Sequence, residues 1–172
     1  MSGFRRFLSV PTWLRMRLSG TSIANWYTTL NVWVYRATKG KLWAHLYVPD
    51  TRDVMPILLL ETLGRRTGKL RVTPLIYCEQ DGRFVLAAAN AGNDRHPGWF
   101  VNLRVHADVH VCIGGDRFPA VAKVASPVER DAALTAFAAV YPPLRRYREA
   151  TSREIPMVLI ERKETSERHP PQ

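Results

Sequence analysis

The stretch Leu63–Tyr77, L-G-R-R-T-G-K-L-R-V-T-P-L-I-Y, is the most informative part of this sequence for the fold. Within it, Gly64–Arg71 holds four cations, two glycines and no acid, and apolar runs at Pro56–Leu60 and Val72–Tyr77 flank it. This pattern is typical of two strands joined by a hairpin turn. Arginine and a glycine backbone suit phosphate or carboxylate oxygens, so the loop is a candidate anion site. The alternative is a basic turn that only faces solvent.

The composition bounds the class of protein. The chain has 172 residues, 46% hydrophobic and 23% charged, which is typical of one globular domain. A net charge of +10 favours anionic partners such as phosphorylated ligands, nucleic acid or acidic lipid. Cys78 and Cys112 lie in apolar strand patterns without metal or redox spacing, which predicts buried thiols and a cytoplasmic protein. No apolar run approaches the roughly 20 residues of a membrane span.

The N-terminal twenty residues form a basic amphipathic segment with four arginines among apolar side chains such as Phe4, Phe7 and Trp13. One interpretation is peripheral contact with an anionic membrane, at the inner face of the cell membrane. The other is a helix that packs on its own domain or on a partner. We therefore expect three regions: the segment 1–20, a single domain over 21–163, and a disordered polar tail over 164–172.

From residue 42 onward the sequence predicts short strands bounded by turn residues. The predicted strands are Leu42–Val48, Pro56–Leu63, Leu70–Glu79, Arg83–Ala89, Val109–Ile113, Phe118–Ala125 and Ile155–Glu161. Hairpin signals between neighbours predict an antiparallel meander, and the absence of strand–helix alternation argues against a Rossmann domain. Helices are expected over 22–37, from Pro97 through Val105, from a capping box at Ser126 to Val140, and over Leu144–Thr151. The fold class is α+β, mainly β.

The common catalytic motifs are missing from the sequence: it has no nucleophile elbow and no P-loop. His106 and His110 straddle a predicted helix end and a strand, so a metal pair is not favoured. What remains is a ligand site formed by the basic loop, the polar loop Asn90–His96 and the aromatic, basic segment Tyr141–Arg148. These three segments suit an anionic, planar molecule. The alternative is that the tyrosines only cover one end of a barrel.

Taken in order, these motifs resemble the deazaflavin-dependent nitroreductase family, whose members use reduced F420. The resemblance begins at N-V-W-V-Y-R (31–36) and continues through G-R-R-T-G-K-L-R (64–71) and A-A-A-N-A-G-N-D-R-H-P-G-W-F-V-N-L (87–103). It ends with Tyr141-Pro142 and R-E-I-P at 153–156. It implies a split β-barrel like that of FMN-binding pyridoxamine oxidases, with flanking helices and an N-terminal helix. It also implies an F420H2-dependent reductase that passes a hydride to a quinone, a nitroaromatic or an activated enone.

The resemblance assigns roles to individual residues. It implies that Arg66 and Arg71 contact the phosphate and acidic tail of the cofactor. Further cofactor contacts are implied for Thr67, Gly68, Thr73, Pro74, Leu75, Ala89, Asn90, Ala91 and Gly92, with Trp99 and Asn102 supporting the site. The substrate pocket is expected to include Trp26, Tyr141, Leu144 and Tyr147. Of these, Tyr141 and Tyr147 are the candidate catalytic proton donors, and solvent is the alternative donor.

Two departures from the family pattern change these expectations. Asn90 stands where a lysine often helps to hold the cofactor, so either affinity is lower or Arg95 supplies the charge. Leu144 stands where a well-known nitroreductase has a third pocket tyrosine, which disfavours proton donation and activation of nitro drugs but is compatible with quinone reduction.

Two other interpretations keep the same barrel: an FMN-binding redox protein, and a non-enzymatic carrier of an anionic lipid or tetrapyrrole. Nucleic-acid binding is not expected, because the aromatic residues follow helical core spacing and are not interleaved with the basic ones. A reductase of this kind needs a small-molecule electron acceptor and, indirectly, an F420-reducing dehydrogenase that regenerates its cofactor.

Overall fold

The fold is described from a computed structural model of the chain. The structure describes residues 32, 35, 37, 38, 45–48 and 53–164, with only the backbone at 45–48 and 53–54. Residues 32, 35 and 37 are helical, in agreement with the end of the predicted helix over 22–37. The basic segment 1–20, Trp26 and residues 165–172 of the predicted tail lie outside the described residues.

Eight strands and three α-helices make up the described part of the chain, and every strand pair is antiparallel. In chain order they are β1 His45–Val48, β2 Asp53–Leu63, β3 Leu70–Ile76, β4 Cys78–Gln80, β5 Arg83–Ala87, α1 Gly98–Leu103, β6 Asp108–Ile113, β7 Asp116–Val124, α2 Pro127–Val140, α3 Leu144–Glu149 and β8 Met157–Arg162. A 3₁₀ turn covers Asn90–Gly92. These elements confirm the predicted mainly β class.

The order of the strands corrects the predicted meander. The sheet runs β1-β2-β6-β7-β8-β5-β4, and β3 also pairs with β2. Thus β6 returns to β2, with Leu60 opposite Val111, and β8 lies between β7 and β5, with Leu86 opposite Val158. The prediction failed because hairpin signals report only pairs of strands that are adjacent in sequence.

A break at Tyr77 divides the predicted strand Leu70–Glu79 into β3 and β4. β3 pairs with β2, whereas β4 pairs with β5, and the Tyr77 amide donates to the Pro56 carbonyl at 3.3 Å. Pairing leads from β3 through β2, β6, β7, β8 and β5 to β4. Only Tyr77 separates β3 from β4 in the chain, so the two ends of this series of strands are adjacent. The sheet curls back on itself, which is the split barrel that the resemblance implied.

The core follows from the alternation of side chains along these strands. One cluster fills the barrel with inward-facing residues such as Leu60, Leu86 and Ile160, and α1 adds Trp99 and Phe100 to it. The opposite faces of β4, β5 and β8 contact α2 and α3 in a second cluster, and a third forms around Tyr35.

The cysteine prediction is confirmed, since Cys78 and Cys112 are both free and buried. Burial raises the pKa of the Cys78 thiol to about 11.

In the described part of the chain, no helix has the length and apolar character needed to cross a membrane.

The start of α2 confirms the predicted capping box. The Ser126 hydroxyl accepts from the Glu129 amide, and the Glu129 carboxylate accepts from both the amide and the hydroxyl of Ser126 at 3.0 and 2.7 Å. Arg83 adds an ion pair to Glu129 at 3.0 Å. The hydrogen bonds from Ser126, followed by the one from Arg83, lower the pKa of Glu129 from 4.5 to about 2.

We expect Ser126→Ala to lower the free energy of unfolding by about 1 kcal/mol, the usual effect of losing an N-cap. The ionised Glu129 contributes stability above pH 4.5, which is lost as the pH falls towards about 2. The variant should therefore also lose less stability across this acid range than the parent does. Urea unfolding at neutral and acid pH measures both effects. Ser152→Ala, at an exposed position, is the matched control and should change neither.

Candidate functional site

The basic loop is a tight hairpin between β2 and β3. The Gly64 amide donates to the Lys69 carbonyl at 2.9 Å, and the Gly64 carbonyl accepts from the Thr67 and Gly68 amides at 3.0 and 2.7 Å. A Cβ at Gly64 would lie 3.0 Å from the Thr67 hydroxyl and 3.2 Å from the Lys69 carbonyl, and Gly68 has a φ of +63°. Both glycines are therefore required by the turn itself.

The cations of this hairpin face solvent. Arg65, Arg66, Lys69 and Arg71 are all exposed, and none of them forms an ion pair with any residue that the structure describes. Four like charges in one short turn repel one another unless an anion neutralises them. The hairpin is therefore suited to bind a phosphorylated or carboxylated ligand.

Asn102 of α1 fixes the base of the hairpin. Its side-chain carbonyl accepts from the Arg65 amide at 3.2 Å, and its amide group donates to the Thr62 hydroxyl at 3.3 Å. Asn102 is buried, and its neighbours Trp99 and Leu103 pack inside the barrel. The position of the basic loop is thus coupled to the barrel core, in keeping with the supporting role that the resemblance implied for Trp99 and Asn102.

The predicted ring-contact residues lie on β3, where they are half-buried. Thr73 pairs with Leu60, Pro74 with Leu59 and Leu75 with Leu58. Because side chains alternate along a strand, Thr73 and Leu75 share one face of the sheet and Pro74 lies on the other. Leu75 packs against the cluster inside the barrel. A planar ligand against one face would therefore contact the side chains of Thr73 and Leu75 or that of Pro74.

The second predicted loop forms a left-handed turn. Asn90, Ala91 and Gly92 have φ values of 49°, 53° and 81°, and Ala89 before them is buried. The Asn90 amide group donates to the Arg95 carbonyl at 2.8 Å, and the Asn93 amide group donates to the Asn90 carbonyl at 2.9 Å. The Asn90 side chain is therefore engaged within the loop. The side chain of Arg95 is exposed.

The second loop packs against the connection between α3 and β8. A Cβ at Gly92 would lie 3.1 Å from the Ala150 methyl group and 3.4 Å from the Tyr147 carbonyl, so only glycine fits there. Arg153 contacts the loop from the same connection, at the Asn93 carbonyl among others. Sequence reasoning assigned no role to Arg153, although the R-E-I-P motif that begins with it contributed to the resemblance.

The two tyrosines form a hydroxyl pair. The Tyr141 and Tyr147 oxygens lie 2.9 Å apart, and their ring centroids are 5.9 Å apart. Tyr141 is buried and packs on Phe137, whereas Tyr147 is half-buried. Tyr147 is thus the more accessible member of the pair.

Leu144, expected in the substrate pocket, is only 1% exposed and belongs to the core cluster beneath α2. Its side chain is therefore part of the core and not an accessible pocket wall, which corrects that expectation. Tyr147, one turn further along α3 on the same side, is only partly buried against this cluster. Trp26 lies outside the described residues.

Contacts link the three predicted segments in a row. Asn102 joins α1 to the basic hairpin, and the ring of His96, just before α1, lies 4.9 Å from that of Phe100 between centroids, at a tilt of 46°. His96 belongs to the second loop, whose Gly92 contacts Tyr147 of α3. Among the described residues, no group of three or more His, Cys, Asp or Glu side chains is arranged to hold a metal ion.

The fold and the basic hairpin place the chain among split-barrel proteins with a site suited to an anionic ligand. Within that class, the sequence pattern of the F420H(2)-dependent quinone reductases matches residues 26–162. The chain belongs to the F420H(2)-dependent quinone reductase family. This result confirms the predicted family, the F420H2-dependent reductase activity and F420 as cofactor, and it gives no support to the FMN-binding or carrier alternatives.

Individual relatives agree with this result. An F420H(2)-dependent quinone reductase of Mycobacterium tuberculosis is 32% identical over 133 residues, which are 76% of this chain and 86% of that protein. A solved F420-H2 dependent reductase is 32% identical, with a TM-score of 0.58 over 62% of this chain and 94% of that one. Another solved structure, described as a domain-swapped dimer, is 26% identical, with a TM-score of 0.59 over 81% of this chain and 100% of that one.

We expect Asn102→Ala to destabilise the protein by about 1–3 kcal/mol, because it leaves the Arg65 amide and the Thr62 hydroxyl without their partner. Exchange of the amides at 64–69 should accelerate in hydrogen-exchange mass spectrometry. Thr62→Val is the matched control: it removes only the acceptor of the second bond and should leave exchange in the hairpin slow. Equal acceleration in both variants would show that Asn102 does not fix the loop.

Proposed function

We propose that the protein reduces a quinone by transferring a hydride from F420H2, and that the basic hairpin binds the anionic tail of the cofactor. The observation that carries this proposal is the group of four exposed cations without ion-pair partners in the described part of the chain. Phosphate and carboxylate groups of the tail are the acceptors that arginine forks favour. The donor set therefore fits F420.

Within the hairpin, Arg66 and Arg71 are the proposed partners of the phosphate and acidic tail, and Thr67 and Gly68 present backbone to it. This arrangement is supported by the fixed geometry of the turn, whose base is hydrogen-bonded to Asn102. The ring system is proposed to lie between the backbone of β3 at Thr73, Pro74 and Leu75, with the side chains of Thr73 and Leu75 on the ligand's side, and the second loop at Ala89, Asn90, Ala91 and Gly92.

When bound, reduced F420 supplies the hydride, and the quinone then needs a proton to become the quinol. We assign proton donation to Tyr147, because it is the more exposed residue of the pair. Tyr141 hydrogen-bonds to that hydroxyl at 2.9 Å and thereby orients it. The remaining contribution of the protein is to orient the reactants and exclude water from them.

The family's name supports a quinone as the acceptor. Reduction of nitroaromatics or activated enones belongs to the same proposed chemistry, because each accepts a hydride and a proton. The oxidised cofactor must then be reduced again by an F420-reducing dehydrogenase.

We further propose a cytoplasmic protein with peripheral contact to an anionic membrane through residues 1–20, since quinones reside in the bilayer. Deletion of these residues should abolish sedimentation with anionic vesicles, and unchanged sedimentation would contradict the membrane contact.

For the hairpin, we expect Arg66→Ala and Arg71→Ala each to raise the Kd for F420 about 10- to 100-fold, because each removes charge-assisted hydrogen bonds. Fluorescence titration with F420 measures this change. Added salt should also weaken binding to the parent, since exposed charges are screened beyond about 8 Å at physiological ionic strength. Lys123→Ala on β7 changes the net charge equally and should leave the Kd unchanged. Unaltered affinity in both arginine variants would remove the hairpin from the cofactor site.

For the tyrosines, we expect Tyr147→Phe to lower kcat for reduction of a menaquinone analogue about 100-fold, at the lower end of typical general-acid effects. Tyr141→Phe should have a smaller effect, because its hydroxyl acts through Tyr147. The Kd for F420 should be preserved in both variants, which separates proton donation from binding. If both variants keep full turnover, solvent is the proton donor and the tyrosines are only pocket wall.

A further inference from the structure

Arg153 has an unusually complete set of partners around the second loop. A guanidinium group carries five N–H donors in a fixed plane. Nε donates to the Asn93 carbonyl at 2.8 Å, and Nη2 donates to the Ala88 and Ala89 carbonyls at 3.0 and 2.8 Å. Nη1 donates to the Glu154 carbonyl at 3.2 Å and lies 3.2 Å from Nδ1 of His96. All three guanidinium nitrogens therefore contact the protein.

The partners of Arg153 lie on both sides of the left-handed turn. Ala88 and Ala89 come directly before Asn90–Gly92, and Asn93 comes directly after it. Asn90 and Ala91 have positive φ values, which are unfavourable for residues that carry a Cβ. Such a turn persists only when its surroundings hold it in place. Arg153 joins the two ends of the turn through three carbonyls and so keeps it closed.

Other contacts support the same connection. The Thr151 hydroxyl donates to the Asp94 carboxylate at 2.9 Å, and the backbone of Gly92 packs closely on Ala150 and Tyr147. The segment that carries Arg153 therefore has a fixed position relative to the loop. A guanidinium is needed there, because lysine has three donors on one nitrogen and cannot reach carbonyls on both sides of the turn.

We infer that Arg153 is a positioning residue that clamps the turn Ala88–Asn93 and thereby sets the wall of the cofactor site opposite β3. This inference rests on the proposed function, in which Ala89–Gly92 contact the ring system. The guanidinium of Arg153 donates to four backbone carbonyls, so it acts on the cofactor through the loop and not by direct contact. It stabilises the loop in which Asn90 stands in place of the family's frequent lysine.

The test compares Arg153→Ala and Arg153→Lys with Lys163→Ala, whose parent side chain is exposed after β8 and pairs only with Asp108 among the described residues. The first measurement is hydrogen exchange of the peptide 88–96 without F420. We expect at least about tenfold faster exchange in Arg153→Ala, a smaller increase in Arg153→Lys, no change in Lys163→Ala, and no change in strands β5 and β8 of any variant. Unchanged exchange in Arg153→Ala would overturn the clamp.

The second measurement is the Kd for F420. We expect it to rise about tenfold in Arg153→Ala, to rise less in Arg153→Lys, and to be unchanged in Lys163→Ala. Millimolar guanidinium chloride should partly restore binding to Arg153→Ala, whereas equal sodium chloride should not. A loosened loop with unaltered affinity would refute the positioning role.

Two further outcomes are distinguishable. If the parent protein does not bind F420, the proposed function fails, while the exchange measurement still decides whether the clamp exists. If Arg153→Ala does not fold, Arg153→Lys decides instead. Normal exchange and affinity in that folded variant would overturn the requirement for a guanidinium.

Discussion

Closure of the barrel depends on the interruption at Tyr77, where one apolar segment stops pairing with β2 and begins to pair with β5. The hydrogen bond from the Tyr77 amide to the Pro56 carbonyl keeps the chain at the edge of β2 at the point of the break. Since β3 pairs with β2 near one end of the strand path and β4 lies at the other end, this single interruption brings the two ends of the sheet together and closes the barrel. The closed barrel provides the enclosed interior in which Trp99 and Phe100 of α1 pack.

The position of α1 then determines how the loops are arranged. Its C-terminal end fixes the basic hairpin through Asn102, and the residue preceding its start, Pro97, follows directly on the second loop. A buried amide that bonds to two partners leaves the hairpin little freedom, although four cations within it repel one another. The hairpin therefore keeps its charges together before any anion arrives, and part of the free energy of anion binding is relief of this repulsion.

Features carried by residues close in sequence were predictable: the positions of the strands, the hairpin glycines and the capping box at Ser126. Features that depend on distant residues were not. The order of the strands, the break at Tyr77 and the contacts of Arg153 with carbonyls more than 60 residues away leave no local pattern. Leu144 shows a related limit, because the resemblance placed it in a pocket whereas the packing of α2 and α3 buries it. For the site, the sequence indicated the basic hairpin, the second loop and the segment Tyr141–Arg148. It did not indicate the contacts that Asn102 makes with the hairpin or those that Arg153 makes with the second loop.

The distribution of charge suits a reaction between an anionic cofactor and a neutral acceptor. The four cations of the basic hairpin have no ion-pair partner among the described residues, whereas the proposed ring site has the uncharged residues Thr73, Leu75 and Ala91 and the hydroxyl of Tyr147. Attraction at the tail can thus hold the cofactor without placing a cation beside a quinone that carries no charge. Binding energy from such a remote group is useful only when the reacting part is rigidly oriented. In the proposed site, two elements would hold the reacting part in place: β3 on one side and, on the other, the second loop that we infer Arg153 clamps. Arg153 should therefore affect the affinity for the cofactor although it does not contact it.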